Sequence, residues 1–235
     1  MGSIFKFKDF EIDQRGCTMK INTDGVLLGA VADHDLPLSV LDIGTGTGVI
    51  ALMLAQRFEN AEVDAVEIDL QAAEAAQLNC ANSPYAMRSR VFATSFKDFS
   101  SSGQYDLIVS NPPYFVNDLK NTEKRKELAR HTDDDFFDLL LRKSAALLHP
   151  EGKLWLILPV KQAEKMIVNA VLYKLFLSKV IYVHSDQDKP AFRQIICLDF
   201  KRSLIIEEER IYIYAALGEY TIQYKTLLRD FFLAF

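Results

Sequence analysis

The chain of 235 residues carries 27 Lys and Arg against 32 Asp and Glu, a formal net charge of −5, and 49% of its residues are hydrophobic. That length supports one sizeable α/β domain or two small ones. The acidic balance argues against indiscriminate nucleic-acid binding over the whole surface, but it is compatible with a local basic patch. No apolar run reaches the roughly 18 residues of a membrane span, and the start lacks a signal segment, so we expect a cytoplasmic protein without membrane contact.

The cysteines argue against both a disulfide framework and a thiolate metal site. Cys17, Cys80 and Cys197 are odd in number and far apart, and no C-x-x-C pair occurs. The histidines share no metal-ligand spacing either. We therefore expect no metal. The lack of a disulfide framework and of a thiolate zinc site fits a reducing cytoplasm.

From residue 38 onward, strand-like and helix-like segments alternate. Strands are predicted at residues 38–43, 61–68, 89–94, 105–110, 152–159, 178–185 and 192–200. Helices are predicted at residues 48–58, 70–82, 134–148 and 161–175. This alternation predicts an α/β fold with right-handed crossovers, built on a seven-stranded, mostly parallel sheet with helices on both faces and an antiparallel terminal strand.

Two segments stand apart from this alternation. Residues 4–30 form an N-terminal extension before the first core strand, and residues 114–132 form a long charged connection. A loop of that length inside a compact domain is usually functional or disordered. We expect residues 1–235 to form a single domain in which residues 114–132 act as a substrate loop.

The stretch VLDIGTGTG, residues 40–48, places a strand before a glycine-rich turn that opens a helix. Gly44, Gly46 and Gly48 let the backbone turn sharply and approach a ligand closely. Glu67 closes the next strand, where a carboxylate can accept both hydroxyls of an adenosine ribose. Strand, loop, helix and acid in this order predict a site for an adenosine cofactor.

The glycine spacing selects among adenosine cofactors. The loop reads G-x-G-x-G, whereas the third glycine of the dinucleotide fingerprint would fall on Val49. Asp42, just before the loop, would repel a pyrophosphate and attract the ammonium and sulfonium charges of S-adenosylmethionine. A helix-cap role is the alternative for Asp42. The pattern favours S-adenosylmethionine.

The stretch SNPPYF, residues 110–115, ends a buried strand because two prolines cannot continue a sheet ladder. Ligands of parallel α/β sheets bind beyond the carboxyl ends of the strands, so Asn111 should reach the same edge as Gly44 and Glu67. The side-chain oxygen of Asn111 and the backbone carbonyl of Pro112 then offer two acceptors to an amino group with two hydrogens.

The rest of this stretch supports the same interpretation. Pro112 and Pro113 hold the two acceptors rigid, and Tyr114 supplies a flat face on which a planar base can stack. An aromatic–proline turn that merely ends a strand is the alternative. That alternative would leave Glu67 and the glycines without a substrate.

The motifs DIGTGTG, VEID and NPPY together resemble the class I S-adenosylmethionine-dependent methyltransferases that modify exocyclic or amide nitrogens. Residues 5–30, 111–115, 129–133 and 220–232 are similar to the bacterial valine-tRNA adenine-N6 methyltransferase family, whose members methylate the adenine immediately 3′ of the anticodon. The resemblance covers nearly the whole chain. It implies a Rossmann-like fold, S-adenosyl-L-methionine as cofactor and tRNA as partner.

The resemblance also implies roles for individual residues. The residues implied to cover the methionine end of the cofactor are Lys20, Thr23, Asp24 and Gly25, and the residues implied to hold the adenine run from Asn111 to Tyr114. Many relatives bind the adenine amino group of the cofactor through an acidic residue after the third strand. Here Ser95 stands in that position, with Phe96 beside it to stack on or flank the adenine and Asp98 shortly after.

The basic run is the expected tRNA contact, and it comprises Lys124, Arg125, Lys126 and Arg130. A solvated charged face is its alternative, and His131 is either a structural residue or a neighbour of the target base. NPPY is shared with enzymes that act on glutamine, guanine or DNA adenine. The alternatives are therefore a related methyltransferase acting on protein glutamine or another RNA amino group, and a non-catalytic tRNA-binding protein. We expect a monomer.

Overall fold

The computed structural model describes residues 4–15, 17, 20–113 and 123–235, with the backbone alone for residues 123–134. Its central sheet has eight strands. They are β3 (Ser39–Ile43), β4 (Glu62–Glu67), β5 (Ser89–Ala93), β6 (Tyr105–Ser110), β7 (Leu148–Pro159), β8 (Phe176–His184), β9 (Ala191–Asp199) and β10 (Glu207–Tyr212). Across the sheet they follow the order β10-β8-β9-β7-β6-β3-β4-β5.

The sheet is mostly parallel, as predicted. Only β9 runs antiparallel to its neighbours β7 and β8 among these eight strands. The predicted count of seven strands was one too low, because β10 pairs in parallel with β8 at the sheet edge. Its start, Glu207–Glu209, is exposed and has none of the alternating apolar residues that indicate a strand. Lys179 of β8 forms ion pairs there with Glu207, at 3.4 Å, and with Glu209, at 2.5 Å.

Helices cover both faces of the sheet. They are α1 (Thr23–Val31), α2 (Val49–Arg57), α3 (Leu70–Ala81), α4 (Glu123–Leu147), α5 (Val160–Ala170) and α6 (Ile222–Leu228). Successive strand residues point to opposite faces, so Val40 joins one hydrophobic cluster with α1 and α2, while Leu41 joins another with α4 and α5. In the described part of the chain, no helix is long and apolar enough to cross a membrane.

The prediction of a charged loop over residues 114–132 was wrong from Glu123 onward, because α4 begins there. Lys, Arg, Glu, Leu and Ala predominate at the start of this helix, and all of them favour the helical conformation even without an apolar face. Apolar residues at helical spacing begin only near residue 134, which is why the helix was predicted to start there. Residues 114–122 lie outside the described residues.

The N-terminal extension pairs with the end of the chain. Its two short strands, β1 (Ile4–Lys6) and β2 (Glu11–Asp13), are antiparallel. Phe7 forms an isolated antiparallel bridge with Phe232, and the Lys8 N–H donates to the carbonyl of Phe231 at 2.8 Å. A further small sheet, β11 (Tyr214–Ala216) with β12 (Glu219–Tyr220), precedes α6.

Gly152 lies where the pairing of β7 with β6 shifts register. A Cβ at this position would stand 2.8 Å from the backbone carbonyl oxygen of Tyr105, in a central strand that cannot move cheaply. We expect Gly152→Ala to lower the free energy of unfolding by about 1–3 kcal/mol, as measured by urea denaturation. Gly103→Ala is the control, since a Cβ there meets nothing within 4 Å. Equal losses in both variants would contradict the steric explanation.

Candidate active site

A cavity of about 640 Å³ opens at the carboxyl ends of β3, β4 and β6. Parallel α/β sheets place their ligands at this edge. The predicted site residues that line the cavity are Lys20, Gly25, Gly44, Gly46, Glu67, Ser95, Phe96, Asn111, Pro112 and Pro113. The fold thus brings together residues that are widely separated in the sequence.

The glycine-rich loop needs glycine for its backbone conformation. Gly44 and Gly46 have φ angles of +72° and +57°, and a Cβ on either would meet nothing within 4 Å. Positive φ, and not lack of space, therefore selects glycine at these positions. The N–H groups of Gly44 and Thr45 donate to the carbonyl of Val66, at 2.8 and 3.1 Å, and tie the loop to β4.

Glu67 bridges two loops with its carboxylate. Its Oε2 accepts the N–H of Gly46 at 2.8 Å, and its Oε1 accepts the N–H of Asp69 at 2.9 Å. The residue is 8% exposed and lines the cavity. Each carboxylate oxygen can accept about two hydrogen bonds, so Glu67 keeps capacity for hydroxyl donors.

Asp42 is not among the residues that line the cavity, and its predicted contact with the cofactor stays a prediction. Its side chain is 0% exposed, and the Thr45 hydroxyl donates to its Oδ2 at 2.6 Å. Burial raises the pKa of Asp42 to about 7, against the lowering effect of Thr45 and of the Ala51 N–H in the first turn of α2. These contacts favour the alternative in which Asp42 holds the loop and the start of α2.

Three other predicted cofactor residues also lie away from the cavity lining. Gly48, with φ of +85°, precedes α2, and a Cβ on it would stand 3.4 Å from the Cβ of Ala76 in α3. Thr23 is the first residue of α1. The carboxylate of Asp24 is turned toward β9, where it accepts a hydrogen bond from Nε of Arg193 at 2.8 Å. Gly48 thus packs against α3 and Asp24 pairs with β9, while the predicted contact of all three residues with the cofactor stays a prediction.

Asn111 lies beside the start of α1. A Cβ on Gly25 would stand 3.7 Å from its Nδ2 atom, so a small residue at position 25 leaves room for the amide. The preceding Ser110 donates its hydroxyl to the carbonyl of Ile43 at 2.8 Å, which fixes the end of β6 against β3. Tyr114 lies outside the described residues. So do the side chains of Lys124, Arg125, Lys126, Arg130 and His131, whose backbone belongs to α4.

Several residues of the cavity were not among the predicted site residues. They are Ile21, Asn22, Ile43, Thr45, Thr47, Val49, Ile50, Val66, Ile68, Lys97, Asp98, Ser110, Phe136 and Leu139. Asp98 is an acidic residue shortly after β5, which is the third strand of the predicted alternation. Its Oδ2 accepts a hydrogen bond from the Ser95 hydroxyl at 2.6 Å. Ser95 and Asp98 both line the cavity, so both remain candidates for the contact with the adenine amino group of the cofactor. Among the described residues, no cluster of His, Cys, Asp and Glu could hold a metal ion.

The buried carboxyl of Asp42 should make stability depend on pH in the cofactor-free protein. Between the ordinary pKa of 3.8 and about 7, the folded state keeps a proton on Asp42 that the unfolded state has lost. This contribution to stability therefore declines as pH rises, by at most about 1.4 kcal/mol per pH unit. Asp42→Asn lacks it, so its stability relative to the wild type should increase from about pH 5 to pH 7 in urea titrations. A difference that does not vary with pH would contradict a protonated Asp42.

Comparison with known proteins identifies the family. The methyltransferase small domain model matches residues 22–180. The tRNA1(Val) (adenine(37)-N6)-methyltransferase of Pedobacter heparinus is 57% identical over 235 residues, which is 100% of both chains. The protein of the same name from Phocaeicola vulgatus is 40% identical over 97% of each chain.

Solved structures agree on the fold. Protein Atu636 from Agrobacterium tumefaciens, a predicted O-methyltransferase, superposes with a TM-score of 0.68 at 19% identity, over 88% of this chain and 96% of the other. A methyltransferase from Pyrococcus furiosus gives a TM-score of 0.55 at 20% identity, over 80% and 91%. The fold is therefore the Rossmann-like class I methyltransferase fold. On the family model and the full-length identity together, the chain belongs to the methyltransferase small domain family and, within it, to the tRNA1(Val) (adenine(37)-N6)-methyltransferases.

Proposed function

We propose that the protein transfers a methyl group from S-adenosyl-L-methionine to the exocyclic amino nitrogen of the adenine 3′ of the anticodon in valine tRNA. The observation that carries this proposal is the placement of Glu67 and Asn111 on one cavity at the carboxyl edge of the sheet. The relative from Pedobacter heparinus, which is 57% identical over its whole length, bears the corresponding name. A non-catalytic tRNA-binding protein would need neither residue at this cavity.

The residues of the cavity fit the cofactor. Glu67 keeps acceptor capacity for the two ribose hydroxyls, and the open space at Gly44 and Gly46 allows close approach of a ligand to the loop. Phe96 offers a flat face at the same cavity, and Asp98 offers an acceptor for the adenine amino group. When bound, S-adenosyl-L-methionine supplies an electrophilic methyl group on a sulfonium centre.

The catalytic residues orient the target amino group. The side-chain oxygen of Asn111 and the carbonyl of Pro112 accept its two hydrogens, which draws the nitrogen lone pair out of conjugation with the ring. Pro113 fixes this geometry and Tyr114 stacks on the base. The nitrogen becomes acidic enough after methylation to lose a proton to water, so no general base is required.

For tRNA binding we propose contacts from Lys124, Arg125, Lys126 and Arg130, with His131 near the target base. These residues follow the Asn111–Pro113 turn in sequence. Three basic residues at the N-terminus are weaker candidates because each already binds within the protein. Lys6 pairs with Glu11 at 2.8 Å, Arg15 pairs with Asp13 at 2.5 Å, and Lys8 donates to the carbonyl of Phe235 at 3.1 Å. We further propose that residues 1–235 act as one cytoplasmic domain and as a monomer.

The function is tested by incubating the protein with labelled S-adenosyl-L-methionine and unmodified tRNA, followed by nucleoside mass spectrometry. We expect N6-methyladenosine in valine tRNA. Methylguanosine, or label only in protein glutamine, would favour the related methyltransferase instead.

Asn111→Ala should lower turnover in this assay by about two orders of magnitude, because the acceptor of Asn111 acts in the transition state. Its affinity for the cofactor should be nearly unchanged. The exposed Asn60→Ala is the control, and equal loss of affinity and turnover in Asn111→Ala would indicate a structural role.

Glu67→Gln should weaken S-adenosyl-L-methionine binding by about 1.5–3 kcal/mol, because it replaces a charged acceptor and disturbs the hydrogen bonds to Gly46 and Asp69. Isothermal titration calorimetry measures this loss. Glu62→Gln, at the exposed start of the same strand β4, is the matched control. If both variants bind the cofactor like the wild type, Glu67 does not hold the ribose.

A further inference from the structure

Asn79 of α3 joins three parts of the molecule with one buried amide. Asn79 is only 4% exposed. Its Oδ1 accepts the backbone N–H of Asp13 at 2.9 Å, and its Nδ2 donates to the carbonyls of Asp13, at 3.1 Å, and Thr47, at 2.9 Å. Thr47 belongs to the glycine-rich loop and lines the cavity. The amide therefore attaches the end of β2 to the loop.

Beyond Asp13, the described residues include Cys17 and then three residues that line the cavity. Burial raises the pKa of the Cys17 thiol, and the negative charges of Asp69, Asp13 and Glu67 raise this pKa further. Cys17 is itself buried. Further along, Lys20 and the two residues after it line the cavity.

A second amide fastens the same segment. The side-chain oxygen of Gln14 accepts the backbone N–H of Ile21 at 2.7 Å and so connects Gln14 to a residue that lines the cavity. Asn22 then caps α1 by accepting the N–H of Gly25 at 2.9 Å. We call the described residues Asp13–Arg15, Cys17 and Lys20–Asn22 the tethered segment. Asn79 binds its first residue, and Gln14 binds Ile21 near its end.

We infer that Asn79 and Gln14 are positioning residues that hold the tethered segment and its cavity-lining residues Lys20–Asn22 in place, and so set the affinity for the cofactor. The inference rests on the proposed cofactor of this cavity. Neither residue lines the cavity, so each acts through the backbone that it binds. Loss of the hydrogen bonds of a buried amide costs free energy of folding. Asn79 is therefore the stronger of the two attachments. Gln14 is only partly buried, and its removal leaves the core untouched.

Cys17 provides a direct probe of the tethered segment. Peptide mass spectrometry measures how far iodoacetamide labels each cysteine in the wild type, Asn79→Ala and Gln14→Ala. A parallel calorimetric titration measures the affinity of each protein for S-adenosyl-L-methionine. Gln77→Ala, which removes an exposed amide from the same helix, is the matched control. Cys197, buried in β9, reports global unfolding.

We expect iodoacetamide to label Cys17 in both Asn79→Ala and Gln14→Ala. Their dissociation constants for S-adenosyl-L-methionine should be about three- to tenfold higher than that of the wild type, which is the scale of one net hydrogen bond. Cys197 labelling and the Gln77→Ala variant should not change, and saturating cofactor should slow Cys17 labelling in the wild type. A Gln14→Ala variant that matches the wild type in both measurements overturns the inference, even if Asn79→Ala unfolds. Failure of the wild type to bind S-adenosyl-L-methionine would overturn the proposed function instead, because Cys17 labelling needs no cofactor.

Discussion

The carboxylate of Glu67 holds the catalytic edge together. A charge buried to this degree is costly unless donors surround it, and the N–H groups of Gly46 and Asp69 supply them. The loop after β3 and the turn after β4 are consequently fixed to one side chain before any ligand binds. A site that is already ordered loses less conformational entropy on binding, so the group that stabilises the apo loops also favours the cofactor.

A second link connects this edge to the antiparallel part of the sheet. Arg193 at the start of β9 binds Asp24, and Asp24 precedes Gly25, which lies against Asn111. Both partners of the ion pair are largely shielded from water, so it is a stronger constraint than an exposed pair. The position of α1 relative to Asn111 therefore depends on β9 as well as on the parallel strands.

Features of the structure that a short sequence pattern marks were predictable. Features that depend on partners distant in sequence were not. The apolar strands, the glycine-rich loop and the positions of Glu67 and Asn111 follow from hydrophobic runs and from the rule that ligands bind at the carboxyl edge. Asp42 precedes the loop as a ligand would, but whether its side chain points to the cavity or the interior depends on the packing of α2. Asn79 reads as an ordinary polar residue of an alanine-rich helix, since its partners Asp13 and Thr47 are remote in sequence.

The same distinction explains β10, whose acidic start gives no strand signal and yet completes the sheet. An outermost strand presents unpaired backbone groups that can recruit a strand from another molecule. On β10 the approaching strand of a second copy would meet Glu207, Glu208 and Glu209, all of them exposed. In a symmetric antiparallel pairing centred on Glu208, these residues would face the same negative charges, and repulsion opposes that register. The acidic run that hides the strand from sequence analysis thus disfavours the pairing register that would bring the exposed starts of two β10 strands together.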